Sequence, residues 1–436
     1  MQAVRELDER LQQSERWSPD AMLAWQRRQL GLLVNHARRT TPFYRFRLNG
    51  LFGPTGLIDW RRWAELPILT RTDVADRFDA LLSRAPVADH GPFADVISSG
   101  STGTPIKIRT TRVINDAVSA CNWRAQRWWG IDWSKRLLSR VYSGHPGRHN
   151  GDKLGPWGPP WDKTAARGQH IYSSSSVMEP ELLDLILAHR PSYVALGTPL
   201  IETLSDAVLA RGLEVKIECF FVRGAGADAR LRELAHKHFG GARVLELYSA
   251  KESGPIAHPC PVSGQLHVND ETILVEVVDA NNRPCAPGEE GRVLVTPFGS
   301  TAMPLIRYEL GDTAVAGTPC PCGRCLSTLD GISGRVSHAF RHPDGRSLFA
   351  RLALEPLQAQ LAVRRWQIAQ TGATQFEVRY LADADIDEQG RARFVETFHR
   401  ELFDDAVIRF LRVEALPLTD AGKFIEYRRE YDAQSI

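Results

Sequence analysis

The sequence predicts an α/β protein, with a large N-terminal α/β domain over residues 1–334 that carries a β subdomain, and a small C-terminal α+β domain over 335–436. Three observations predict it. Helical and strand patterns alternate between about residues 180 and 248, a β-rich, turn-punctuated stretch follows over 272–296, and the chain beyond Arg335 restarts with strands and helices of its own.

In chain order, Met22, Leu23, Leu30, Leu33, Val34 and Ala37 fall at helical spacing, so residues 20–40 form an amphipathic helix that stops near Thr41-Pro42. From Ser134 to about Ser176 glycine, proline and tryptophan dominate, which predicts a long surface or site-lining loop. Six of the eleven tryptophans lie between Trp123 and Trp161, a clustering that suits either an aromatic pocket or the packing of a core. Helices are expected over 180–190, 200–211 and 229–239, alternating with strands over 192–196, 214–222 and 243–248. Two β runs around Asn281-Asn282 and Pro287-Gly288 read as an antiparallel β subdomain. The C-terminal segments FEVRYL, RFVETFHRELF and AVIRFLRVEAL supply the second domain.

Composition narrows the function. The 436 residues are 43% hydrophobic and 24% charged, which suits a soluble globular chain of two or three domains. Lysine plus arginine (54) nearly cancels aspartate plus glutamate (52), so neither nucleic acid nor an anionic membrane is expected as the main partner. The N-terminus is charged from the start and no apolar run approaches the roughly 18 residues of a membrane span, which predicts a cytoplasmic protein that handles a small molecule. Seven cysteines, three of them crowded at Cys320, Cys322 and Cys325, make a poor disulfide framework and suggest metal binding. Cys121, Cys219 and Cys285 read as ordinary buried or half-buried residues.

The sharpest local motif is Ser98-Ser99-Gly100-Ser101-Thr102-Gly103-Thr104-Pro105-Ile106-Lys107. Small residues let backbone amides approach an anion, and the hydroxyls can donate to phosphate oxygens. Lys107 lacks the Gly-Lys-Ser/Thr order of a Walker A loop. Four further motifs follow: LYSAKESG over 247–254, MPLIRYELGD over 303–312, Gly334-Arg335, and LTDAGK over 418–423. Upstream stand ARRTTPFYR and LPILTRTDV. In order and spacing these motifs resemble the adenylate-forming superfamily, and among its members the phenylacetate-coenzyme A ligases, from about residue 30 to Tyr427.

The resemblance implies the adenylate-forming enzyme fold, with a mobile C-terminal domain, and ATP-dependent activation of a carboxylic acid, aryl or arylacetic, as an acyl-adenylate with pyrophosphate release. It implies ATP and Mg2+ as cofactors. Ser98, Ser99, Gly100, Ser101, Thr102, Gly103, Thr104 and Lys107 would hold the β- and γ-phosphates. Gly224, Ala225 and Gly226 would present backbone to the adenine, with Tyr248 and Ser249 at its ring. Asp312 would accept the vicinal ribose hydroxyls, and Glu252 would bind magnesium, a hard cation that prefers carboxylate oxygen. Arg335 would reach the ribose or phosphate from the hinge, and Lys423 would stabilise the charge that builds during adenylation. Taken singly, Asp312 also suits a turn, Glu252 a helix cap and Lys423 a solvated surface; the ordered set argues for the site. Tyr142, His145 and Trp129 are candidates for lining the acid pocket.

Some relatives carry a structural zinc, and Cys260, His267, Cys320 and Cys322 are the favoured ligands here, with Cys325 competing for the His267 position and His258 behind them. Two departures from the family fall in the C-terminal domain: Val336-Ser337-His338 replaces the usual acidic hinge, and the stretch RHPDGRSLFARLALEP has only Gly345 where relatives have a glycine-rich loop lining the thiol channel. The resemblance implies transfer of the acyl group to coenzyme A, with an amine, a carrier protein or another nucleophile as the alternative acceptor that the altered hinge would suit. Homodimerisation is expected from the family.

Overall fold

A computed structural model describes residues 2–98, 106–141, 147–162, 167–177, 179–198, 200–223, 227, 229–335, 340–343, 347–348, 360–417 and 426–431. The chain opens with α1 (Gln2–Ser14) and α2 (Pro19–Thr40), the latter started by the Ser18 side chain accepting from the Ala21 amide and ended at Thr41 as its sequence required. Short helices α3 (Tyr44–Arg47), α4 (Arg71–Asp76) and α5 (Phe78–Leu81) follow, then a hairpin of β1 (Phe93–Ser98) and β2 (Ile106–Thr111), and α6 (Arg112–Trp128).

The first large sheet has the order β4-β5-β3-β6-β7-β8, from β3 (Leu137–Val141), β4 (Lys153–Pro156), β5 (Gln169–Ser174), β6 (Tyr193–Gly197), β7 (Cys219–Arg223) and β8 (Arg243–Glu246). All neighbours run parallel except β4, which pairs antiparallel with β5. The crossovers are α7 (Glu181–His189), α8 (Leu200–Ala210) and α9 (Ala229–His238). Alternation along each strand separates two faces. Val194, Leu196, Phe220, Val222 and Val244 pack with Leu182, Leu183, Ile201, Leu204, Leu231 and Ala235 of the three helices. Tyr193, Cys219 and Leu245 pack instead with Trp129, Ile131, Trp133 and Trp157.

That second face corrects the expectation of a long loop over 134–176. The segment contains β3, β4 and β5, and β3 is an inner strand of the sheet. Only Leu137 and Leu138 of β3 are fully buried, and the flanking glycines and prolines hide so short a run from any pattern test. The tryptophans of this region largely serve the core: Trp157 is buried and donates its indole N–H to the Lys135 carbonyl at 2.7 Å, while Trp133 donates to Gln126 Oε1 at 2.8 Å. The expected strand over 214–222 is also shorter, starting at Cys219.

The second sheet is seven-stranded and antiparallel, ordered β12-β13-β14-β15-β11-β10-β9. Its strands are β9 (Tyr248–Ala250), β10 (Gly254–Pro259), β11 (Leu266–Val268), β12 (Ile273–Val278), β13 (Glu290–Pro297), β14 (Tyr308–Ala316) and β15 (Thr328–Arg335). The two β runs expected around Asn281-Asn282 are β12 and β13, but the subdomain they belong to recruits five more strands. Its inner face shares one core with the N-terminal helices, including Leu33, Ala37, Tyr44, Val74, Ile256, Val293, Val295 and Tyr308.

Beyond β15 come β16 (Phe340–Arg341) and β17 (Ser347–Leu348), then β18 (Arg365–Gln370), β19 (Gln375–Leu381), α10 (Glu388–Glu401), β20 (Val407–Arg412) and β21 (Tyr427–Arg429). The last four strands form a sheet ordered β20-β19-β18-β21. Phe340, Trp366, Phe376, Phe394, Phe398 and Phe403 give it a core of its own. Among the described residues no helix is long and apolar enough to cross a membrane.

Candidate active site

Strands β7 and β8 run parallel with Val222 opposite Glu246, so the chain leaves both at the same edge of the sheet. Ligand sites of open α/β sheets form outside the carboxyl ends of the strands. Tyr248 stands just past that end of β8, at the start of β9, and Glu252 lies in the turn that carries β9 into β10.

Strand β14 brings Asp312 to Tyr248. Opposite β13 its register slips, Arg292 pairing with Thr313 but Leu294 with Glu309, and Gly311 takes φ +83° inside the bulge. A bulge re-aims the side chains beside it, and a positive φ is natural to glycine. Asp312 is thereby presented to Tyr248, whose hydroxyl donates to Asp312 Oδ2 at 2.9 Å, both residues being buried. Gly311-Asp312 is thus a strand feature and not a turn. On the other side of β14, Asp312 pairs in register with the backbone of Arg335 on β15.

Glu252 and Ser98 meet through a residue that sequence reasoning left out. Arg71, the first residue of α4, donates from Nη2 to Ser98 Oγ at 3.0 Å and holds Nη1 3.4 Å from Glu252 Oε1. Lys251 adds a second tie, donating to the Ile97 carbonyl at 2.9 Å. The last residues of β1 are therefore fastened to the turn that holds Glu252. Arg71 itself sits within the LPILTRTDV motif, where Thr70 and Asp73 form a reciprocal cap on α4. That cap was readable in the sequence; the reach of the guanidinium was not.

Not every candidate joins this group. Lys107 pairs across the hairpin with Ile97, on the face opposite Ser98, and its ammonium lies 2.8 Å from Asp95 Oδ2 and over the Phe78 ring. Ser249 is exposed on β9. Trp129 lies at the other end of the sheet: its indole N–H donates to the Pro259 carbonyl at 2.9 Å and the guanidinium of Arg243, the first residue of β8, lies over its ring. It packs the core there instead of lining a pocket. Ser99, Gly100, Ser101, Thr102, Gly103, Thr104, Tyr142, His145, Gly224, Ala225, Gly226 and Lys423 lie outside the described residues.

A separate cluster gathers the candidate metal ligands. Sγ of Cys260, Cys320 and Cys322 and a ring nitrogen of His267 all lie within 4.8 Å of one another. His267 Nε2 is 3.2 Å from Cys322 Sγ, and Cys320 Sγ is 3.6 Å from Cys260 Sγ. Three thiols and an imidazole at this spacing fit a tetrahedral zinc. Burial and the nearby Arg324 charge hold His267 down to about 4, so its ring is neutral at pH 7, the form a metal requires. Burial opposes ionisation of Cys260, yet the amides of Ser263 and Val262 keep its thiol below the ordinary value. Cys325 does not take part, because its thiol points to the Ser14 carbonyl at 3.2 Å. His258 is likewise engaged elsewhere, its Nε2 3.1 Å from Asn122 Oδ1.

No family model matches the chain. Phenylacetate-coenzyme A ligase of Thermus thermophilus is 25% identical over 334 residues, covering 73% of this chain and 71% of the relative. Among solved structures, 2-hydroxyisobutyryl-CoA ligase in the postadenylation state, in complex with 2-HIB-AMP, matches with a TM-score of 0.72 at 19% identity, over 95% of this chain and 90% of that one. O-succinylbenzoate coenzyme A synthetase from Bacillus subtilis, in complex with ATP and magnesium ion, matches with a TM-score of 0.50 at 14% identity, over 76% of this chain and 68% of that one. The resemblance to phenylacetate-coenzyme A ligases is borne out, and the fold is that of the adenylate-forming acyl-CoA ligases.

Proposed function

We propose that the protein is an AMP-forming ligase that activates a carboxylic acid, aryl or arylacetic, and transfers the acyl group to coenzyme A. The observation that carries this reading is the convergence of the Tyr248–Asp312 pair with the Arg71–Ser98–Glu252 group at the carboxyl end of the parallel strands. The similarity to phenylacetate-coenzyme A ligase supports it and supplies the acid class.

In the first step a carboxylate oxygen attacks the α-phosphorus of ATP, and the bond to the bridging oxygen of pyrophosphate breaks. In the second a thiolate attacks the acyl carbon and AMP leaves. Asp312, held by the Tyr248 hydroxyl, offers two acceptor oxygens to a vicinal diol. Glu252 would supply an oxygen ligand for magnesium, which would neutralise phosphate charge. Ser98 opens the hydroxyl-rich segment that would grip the β- and γ-phosphates, and Gly224, Ala225 and Gly226 would face the adenine. Arg335 and Lys423 would bring cations from the hinge and the C-terminal domain, with residue 335 as the start of that domain. Tyr142 and His145 remain the candidates for the acid pocket. Cys260, His267, Cys320 and Cys322 would hold a structural zinc that ties β10 and β11 to the segment between β14 and β15.

ATP/pyrophosphate exchange over a panel of aryl, arylacetic, amino-aryl and short aliphatic acids tests the first step. Product analysis with and without coenzyme A tests the second. Exchange with an aromatic acid and a thioester product is the expected result. Exchange without thioester transfers the acyl group to an amine or carrier protein instead, the outcome that the Val336-Ser337-His338 hinge favours. No exchange with any acid refutes the reading.

A further inference from the structure

We propose that Arg71 contacts the substrate, binding the pyrophosphate portion of ATP during adenylation. The inference rests on the ligase reading and adds a residue to it. The backbone of Arg71 is fixed from two sides. Thr70 and Asp73 cap α4 reciprocally, and just before them Leu69 bridges to β14, its amide donating to the Arg307 carbonyl at 3.0 Å while its carbonyl accepts from the Glu309 amide at 2.9 Å. The strand that presents Asp312 therefore also places the root of Arg71. From that root the guanidinium reaches Ser98 Oγ at 3.0 Å and Glu252 Oε1 at 3.4 Å, while the side chain stays 26% exposed against 10% for Glu252.

Two cations reach the last residues of β1, Arg71 at Ser98 and Lys251 at the Ile97 carbonyl, and of the two only Arg71 is paired with Glu252. These three side chains together carry one positive charge in excess. A carboxylate shared with a metal gives up part of its hold on the guanidinium, and phosphate oxygens offer the same planar fork a second acceptor pair. Asp312 and Tyr248 are the residues assigned to the nucleoside, and Ser98 and Glu252 those assigned to the β- and γ-phosphates and magnesium; Arg71 touches the second pair, so its contact is assigned to the leaving pyrophosphate and not to AMP.

The test compares MgATP and AMP binding by calorimetry in the wild type, Arg71→Ala and Arg71→Lys, alongside thioester formation from a synthetic acyl-adenylate and coenzyme A. Arg71→Ala is expected to weaken MgATP about tenfold or more, to leave AMP affinity within about twofold, and to leave the rate from preformed adenylate unchanged. Arg71→Lys, which keeps the charge and loses the fork, is expected to recover part of the MgATP affinity and serves should the alanine variant not fold. Equal losses for MgATP and AMP, or no loss for either, overturn the proposal while leaving the ligase reading intact. A wild type that binds neither nucleotide overturns both.

Discussion

Arg307 shows how the β subdomain is locked onto the N-terminal helices. Its side chain is 1% exposed, with Nη1 donating to the carbonyls of Ala64 at 2.8 Å and Leu66 at 2.7 Å, and with Nε 3.2 Å and Nη2 3.1 Å from Glu276 Oε1. Arg307→Met keeps most of the volume and leaves the φ of +50° no more strained than before, so the change isolates the lost charge and donors. Glu276, 13% exposed, is left as an unpaired charge, which costs about 3–5 kcal/mol, and the uncapped carbonyls add about 1 kcal/mol or more. With a urea slope of about 3 kcal/mol/M, the unfolding midpoint falls by about 1–2 M. Replacing Glu276 by Gln in the same chain restores part of that loss, because the buried charge goes with its partner. The effect also depends on pH. Burial already raises Glu276 above its ordinary value against the lowering pull of Arg307, and removing the cation raises it further. A carboxyl that binds its proton more tightly when folded contributes stability below its unfolded value and loses it as pH climbs through the folded one. Arg307→Met is therefore expected to be less damaging at pH 5 than at pH 8. A midpoint shift under about 0.3 M at pH 8, or a double variant no more stable than the single one, refutes the reasoning.

Two further expectations follow from the site and the metal cluster. Tyr248→Phe removes the donor that orients Asp312 and should raise the ATP KM in pyrophosphate exchange about five- to tenfold, with Asp312→Asn more severe; an unchanged KM in both removes these residues from the nucleotide site. Purified protein should carry one zinc per chain, with chelation lowering the melting temperature, Cys322→Ser abolishing the metal and Cys325→Ser keeping it; zinc retained in Cys322→Ser and lost in Cys325→Ser would reverse the ligand assignment.

The legible parts of the chain were those with long periodic runs or crowded chemistry. The alternation from α7 to β8, the β12–β13 pair and the separate C-terminal strands each follow a pattern longer than one turn or hairpin. The cluster of Cys260, His267, Cys320 and Cys322 was legible because few other roles bring so many thiols together. Strands β3, β4 and β5 were not, since each is short and set among glycines and prolines whose turn signals outweigh it. Trp129 and Lys107 lie away from the other candidates for a different reason: strand alternation puts Lys107 on the far face of its hairpin and chain direction puts Trp129 at the far end of the sheet. Arg71 was hidden by the 27 residues that separate it from Ser98 and the 181 that separate it from Glu252.

The Cys/His cluster and the proposed nucleotide site are linked by two strands. β10 runs from the turn of Glu252 to Cys260, and β14 runs from the bulge of Asp312 toward Cys320 and Cys322. A slip of one residue in either strand would turn every side chain to the opposite face. A tetrahedral metal clasp at the strands' far ends would admit only one count. A zinc held by Cys260, His267, Cys320 and Cys322 would thus fix the far ends of β10 and β14 relative to one another, at a distance from the turn of Glu252 and the bulge of Asp312.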